Sequence, residues 1–202
     1  MFAFIVASIL LTLAPGPDNL FVLTQSALHG RKAGIMITLG LCTGLIVHTT
    51  LVALGVAAIF MVSTTAFVVL KLVGATYLLY LAWQLLRAEV IPTDRRKPLT
   101  MSSRQLYVRG ILMNISNPKV AIFFLAFLPQ FARPEAGAMP LQLFVLGLSF
   151  IVVALVIFTA IALIAGKLAG WLGASIRAQL LLNRAAALVF IGLALRLAFS
   201  SR

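Results

Sequence analysis

Two charges of opposite sign lie inside apolar runs, each just after a proline: Asp18 in Pro17-Asp18-Asn19, and Lys119 in Pro118-Lys119. At mid-bilayer a charged side chain costs about 2.5–3.5 kcal/mol on insertion scales, so a function is the default reading. Asp18 suits an ammonium or a proton. Lys119 suits a carboxylate, and together they match the two ends of a zwitterion such as an amino acid. Two structural roles stay open beside this. Asp18 can stabilise a helix N-terminus, and the two residues can form a structural ion pair.

Other polar groups surround these charges. Asn19, Asn114 and Asn117 are amides at membrane depth, and Asn114 and Asn117 share a face if the helix between them is intact. They can contact a polar substrate or simply bond between helices. His48 follows Gly40 and Gly44 at four-residue spacing. Such a small-residue face lets another helix come close and points His48 inward. There it is either a proton relay or a histidine bonded to a threonine or a backbone carbonyl. The aromatics Phe123, Phe124, Phe127, Tyr80 and Trp83 read as packing or lipid-facing residues.

The backbone around these groups must be broken. Pro15 and Pro17, with Gly16 between them, remove donors and clash with the preceding turn. Pro118 does the same in a later run, with Asn117 placed as its cap. A half-helix N-terminus has free N–H groups and a partial positive charge, which can receive a substrate carboxylate.

The elements that carry these breaks are membrane helices. Of the 202 residues 62% are hydrophobic and 10% charged, against about 25% charged in soluble domains. Ala33 to Leu70 and Ala136 to Gly166 contain no Asp, Glu, Lys or Arg, and about 20 apolar residues suffice to span. Six apolar segments follow, at roughly 2–27, 36–61, 66–87, 107–131, 141–165 and 181–199. In lipid they must be helical, because unpaired backbone groups there cost several kcal/mol each. The fold class is therefore all-α and polytopic, with residues 1–202 forming one transmembrane domain. Met1 to Leu13 lacks a positive n-region and reads as half of a retained helix, not a signal peptide.

The segments divide into halves of three, about 1–88 and 107–202, joined by a polar loop at about 88–106. Gly166 to Gln179 reads as the fifth connection. Each half opens with a proline-interrupted segment, and Lys71 and Arg184 each open a third helix. Three is odd, so the halves have inverted topology, and paired interrupted segments point to a transporter binding site. Basic residues such as Arg31, Lys32, Arg95, Arg96, Lys97 and Lys167 fall in the odd-numbered connections, while the other side carries only Lys71, Arg133, Arg196 and Arg202. The positive-inside rule places both termini outside and the middle loop in the cytoplasm.

Charge and motifs exclude other classes. The net charge of +12 belongs to topology and anionic lipid rather than nucleic acid, because no basic stripe carries interleaved aromatics. Cys42 is the single cysteine, so neither a disulfide nor a redox pair forms within the chain. No nucleotide-binding loop, nucleophile triad, paired carboxylates or metal motif is present, so no enzyme, cofactor or metal site is expected. Active transport must then use an ion gradient, unless a partner supplies ATP hydrolysis.

The chain resembles the LysE/RhtB family of bacterial amino-acid exporters. The likeness rests on Pro15-Gly16-Pro17, His29-Gly30-Arg31-Lys32-Ala33-Gly34, and Lys71-Leu72-Val73-Gly74-Ala75 with Tyr77-Leu78. It continues through Gly110 to Asn117-Pro118-Lys119, Phe123-Phe124 and Leu128-Pro129-Gln130-Phe131. The resemblance covers essentially the whole chain. It implies a six-helix carrier in the bacterial inner membrane, exporting amino acids or close derivatives on the proton gradient. Family substrates include homoserine, threonine, leucine, lysine and arginine. Some relatives carry acids deeper in helices two or four, whereas this chain has His48 and no carboxylate in helix two. A dibasic substrate would want two carboxylates, so a neutral amino acid of the homoserine, threonine or leucine type is expected. Alternatives are an exporter or channel for another small molecule and a non-transporting subunit. The large lateral surface leaves room for a homodimer.

Overall fold

The structure, a computed structural model, describes residues 1–56, 64–88, 101–174 and 176–199. It is helical throughout, with no strand among the described residues. In chain order the helices are α1 (Phe2–Leu13), α2 (Pro17–His29), α3 (Arg31–Leu51), α4 (Thr64–Arg87), α5 (Ser103–Ile115), α6 (Pro118–Ile122), α7 (Met139–Ala174) and α8 (Ile176–Phe199). A π-helical turn, Val52–Val56, extends α3, and a second, Phe123–Phe127, extends α6. Among the described residues four stretches are long and apolar enough to cross a membrane, and the number rises to six if each bent pair is one span. The bent pairs are α1 with α2, at 58°, and α5 with α6 and the turns after it, at 49°. The expected interruptions at Pro15–Pro17 and Pro118 are therefore where the chain bends.

Boundaries differ from the sequence reading at several points. α5 starts at Ser103, before the expected 107. Its start is set by a capping box, in which Ser102 accepts from Gln105 N and Gln105 accepts from Ser102 N. Helix also fills most of the connection expected at 166–179, because α7 runs to Ala174 and α8 begins at Ile176. That stretch has Gly166, Lys167 and Gly170 but no proline. Glycine weakens a helix by only ~1 kcal/mol and leaves its hydrogen bonds intact. Thr64 and Thr65, expected in a turn, are already helical. The end of the second segment at 57–61, Ser63, and the heart of the middle loop from Val90 to Pro98 lie outside the described residues.

α3 and α7 pack on the interrupted helices. α3 lies along α5, α7 packs on α1, α2 and α3, and α4 pairs with α8. The expected small face on α3 is used. Gly40 abuts the Tyr107 carbonyl, and a Cβ at Gly110 would sit 2.6 Å from Ile37 O. Gly30, at φ 82°, turns the chain from α2 into α3 and is suited to a backbone that side-chain-bearing residues rarely adopt. Phe4, Phe123, Phe124, Phe127 and Phe150 are buried, whereas Tyr80 and Trp83 are about half exposed. On α8, Leu181 and Leu188 are 68% and 69% exposed, as a lipid-facing stripe requires.

Candidate functional site

The first break follows from backbone chemistry. In an α-helix the carbonyl of residue i accepts from N–H of residue i+4. Pro15 has no N–H, so the carbonyl of Leu11 loses its partner. The chain turns extended at Ala14 and Gly16, which also frees Thr12 O and Ala14 O. Side chains replace the missing donors. Lys119 Nζ donates to Leu11 O at 3.3 Å and to Ala14 O at 3.0 Å. Asn19 Nδ2 donates back across the break to Thr12 O at 2.6 Å. Gly16 is needed here for close approach, since a Cβ on it would meet Lys119 Nζ at 3.0 Å.

The second break obeys the same rule. Pro118 cannot serve Asn114 O, which instead takes a bond from Asn117 N at 3.0 Å and a contact with His48 Nε2 at 3.1 Å. A carbonyl only accepts, so Nε2 carries the hydrogen. His48 therefore bonds a backbone carbonyl, which is the simpler of its two expected roles. Asn117 caps α6, its Oδ1 accepting from Lys119 N at 3.0 Å. Replacing Asn117 by Ala is expected to lower stability by ~1 kcal/mol through the lost cap, while Asn117→Asp retains it. Thermal unfolding in detergent checks both variants. Equal melting of Asn117→Ala and the native protein would remove the cap from the account.

The two breaks reach into each other. Lys119, from the second, holds the end of α1. Asp18, from the first turn of α2, accepts from Asn114 Nδ2 at 3.2 Å. The hydrogen bonds of Lys119 go to carbonyls and that of Asp18 to an amide, so the two charges attract across a cavity that both line. The rest of its wall is Leu11, Thr12, Leu45, Asn114, Val120, Phe150 and Phe158. The cavity is small, about 10 Å³, roughly the room one water needs. Asp18 is 2% exposed, Asn114 1% and Lys119 6%. Burying such charges costs several kcal/mol each unless they are compensated.

Of the residues singled out from sequence, Asp18, Asn114 and Lys119 meet at the cavity. Asn19, Asn117 and His48 serve the backbone around it. Phe150 and Phe158 on α7, Leu45 on α3 and Val120 on α6 were not foreseen, and no polar signal marks them. Thr12 carried one, a hydroxyl four residues after Ser8 and just before the break. Phe150 packs tilted against Phe123 and edge-on against Phe124, both at 5.2 Å between ring centroids. The rings continue through Phe127 and Phe131 to Phe4. Among the described residues, no group of three or more metal-ligating side chains gathers.

Comparison with known proteins adds the following. The sequence profile of the LysE type translocator family matches residues 9–201. The chain is 36% identical over 171 residues to a homoserine/homoserine lactone efflux protein of Salmonella typhimurium, covering 85% of this chain and 82% of that one. It is 28% identical over 196 residues to a leucine efflux protein of the same organism, covering 96% and 92%. It is also 31% identical over 183 residues to an uncharacterized membrane protein of Vibrio cholerae, covering 90% and 86%. No solved structure matches the chain.

Proposed function

The chain belongs to the LysE type translocator family, and from that membership we propose that it exports neutral amino acids, of the homoserine or leucine kind, in exchange for protons. The observation that carries this reading is the clasp between the two proline-broken segments. It sets a buried carboxylate and a buried ammonium on one small cavity. Asp18 accepts either a proton or the substrate's ammonium, and this mutual exclusion is what antiport requires. The efflux relatives named for homoserine and leucine support a neutral side chain, as does the wall of Leu11, Leu45, Val120, Phe150 and Phe158.

The same reading holds the chain to be six spans in two inverted repeats, in the bacterial inner membrane with both termini periplasmic. Its support is the packing, which is unchanged in kind when the halves are exchanged. The broken first span lies on α7 as the broken fourth lies on α3, α3 lies on α7, and α4 lies on α8. A cavity with room for about one water holds an amino acid only after neighbouring helices separate. That fits alternating access by one half moving on the other.

The test is flux of labelled homoserine and leucine through purified protein in liposomes, with and without an imposed pH gradient. The expected result is accumulation against the substrate's own gradient, driven by the proton gradient. Movement only down the substrate gradient means a channel. No movement of any amino acid, in folded and inserted protein, removes the exporter reading.

A further inference from the structure

We propose that the first break is a binding site for a small monovalent cation, which the chain fills with its own Lys119. The site stands on the structure alone, and its bearing on transport rests on the proton-coupled reading. Two main-chain oxygens form it. Leu11 O and Ala14 O have lost their helical partners, and both accept from Lys119 Nζ, at 3.3 and 3.0 Å. They end α1, where the aligned peptide dipoles leave a partial negative charge. Asp18, 2% exposed, lines the adjoining cavity, and its Oδ1 is buried with no hydrogen-bond partner. Unwound carbonyls and a half-helix C-terminus are the groups that hold coupling cations in broken-helix carriers.

Lys119 is badly placed for its own helix. It lies in the first turn of α6, the end whose dipole disfavours a cation. What holds its ammonium is the end of α1 instead. The hydrogen bonds go to backbone oxygens and not to Asp18, whose bonded partner is Asn114. Gly16 leaves room for the ammonium, since a Cβ there would lie 3.0 Å from Nζ. The nitrogen therefore sits as a bound ion would, with a side-chain stem that keeps it from leaving for solvent. In an exporter this removes any need for Na+ at the break and leaves the proton as the exchanged ion. The native protein is accordingly expected to be indifferent to Na+.

The test is Lys119→Ala, which removes the atoms that propylammonium would replace and leaves the backbone oxygens. Melting temperature in detergent is read at equal ionic strength in choline, sodium and propylammonium chlorides, with propanol as the uncharged match. In choline the variant is expected to melt about 6 °C or more below the native protein, from two lost charge-assisted bonds. Propylammonium is expected to recover most of that loss, Na+ part of it and propanol none, while the native protein melts alike in every salt. Lys119→Met fills the space without a charge and is expected to stay low throughout. Native-like melting of Lys119→Ala in choline overturns the proposal. So does a deficit, or a failure to fold, that neither small cation corrects beyond choline. Counterflow of labelled leucine in liposomes, which needs no imposed pH gradient, is expected to follow the same order. For the variant it is at least about tenfold slower in choline than in propylammonium. Cation-restored melting with no counterflow by the native protein leaves the cation site standing and removes the exporter reading.

Discussion

Replacing Asp18 by Asn is expected to abolish proton-driven efflux while the protein still folds. The exchange is nearly isosteric, and an Asn Oδ1 can still accept from Asn114 Nδ2, one of the bonds that join the two breaks. What disappears is the negative charge. Without it the site has no carboxylate to take a proton, and a substrate ammonium loses a charge-assisted bond. Affinity is then expected to fall by about 10- to 100-fold. The dependence of flux on an imposed pH gradient is expected to vanish altogether, because the exchange of proton for substrate has no carboxylate on which to occur. Efflux from liposomes at several pH gradients reads this directly, with circular dichroism and size-exclusion profiles as the check on folding. Gradient-driven efflux at the native rate in folded Asp18→Asn protein would remove Asp18 from the coupling step and leave it a helix-end role.

A large loss of stability is expected from Gly110→Ala, as from Gly40→Ala on the facing helix. A methyl group there lands 2.6 Å from Ile37 O and 3.1 Å from Gly40 Cα, so α3 and α5 must separate to admit it. The obstacle is backbone, which cannot swing away as a flexible side chain can. Overpacking of this kind costs typically 1–3 kcal/mol, and about 3 kcal/mol or more is expected where two main chains oppose it. α3 and α5 also carry Leu45, His48 and Asn114, so loss of the crossing disturbs the cavity as well. Gly192→Ala is the matched control, since a Cβ there meets nothing within 4 Å. It is expected to change stability by no more than ~1 kcal/mol, in the favourable direction. Melting of both variants in the same detergent settles the point. Native-like melting of Gly110→Ala would mean that the helices cross less closely than described.

Much of this arrangement was legible in the sequence because proline has a local and inflexible effect. Pro15, Pro17 and Pro118 mark the breaks whatever the surroundings, and Gly40 and Gly44 mark a face of α3 that another helix can approach closely. The same arithmetic names carbonyls that need help, four residues before a proline, Leu11 and Asn114 among them. It does not name their helpers. That Lys119 serves Leu11 and His48 serves Asn114 depends on how distant helices align. The cavity wall was illegible for another reason. α7 is apolar on every face, with mean hydropathy 3.0 across the span Met139–Ala165, so no periodicity separates Phe150 and Phe158 from residues facing lipid. Lys167 misled in its own way, since the place where a charge returns to water need not be the place where a helix stops.

The clasp also bears on how the protein is made. Leu11 O and Ala14 O find their donor 108 and 105 residues later in the chain. These two carbonyls of the α1–α2 segment therefore lack their Lys119 donor until residue 119 has been synthesised. In return, α3 supplies His48 to the α5–α6 break, 66 residues back from Asn114. Neither half is a module that matures alone, and an exchange of halves between two such proteins succeeds only where the incoming half carries the side chains that finish its host's backbone.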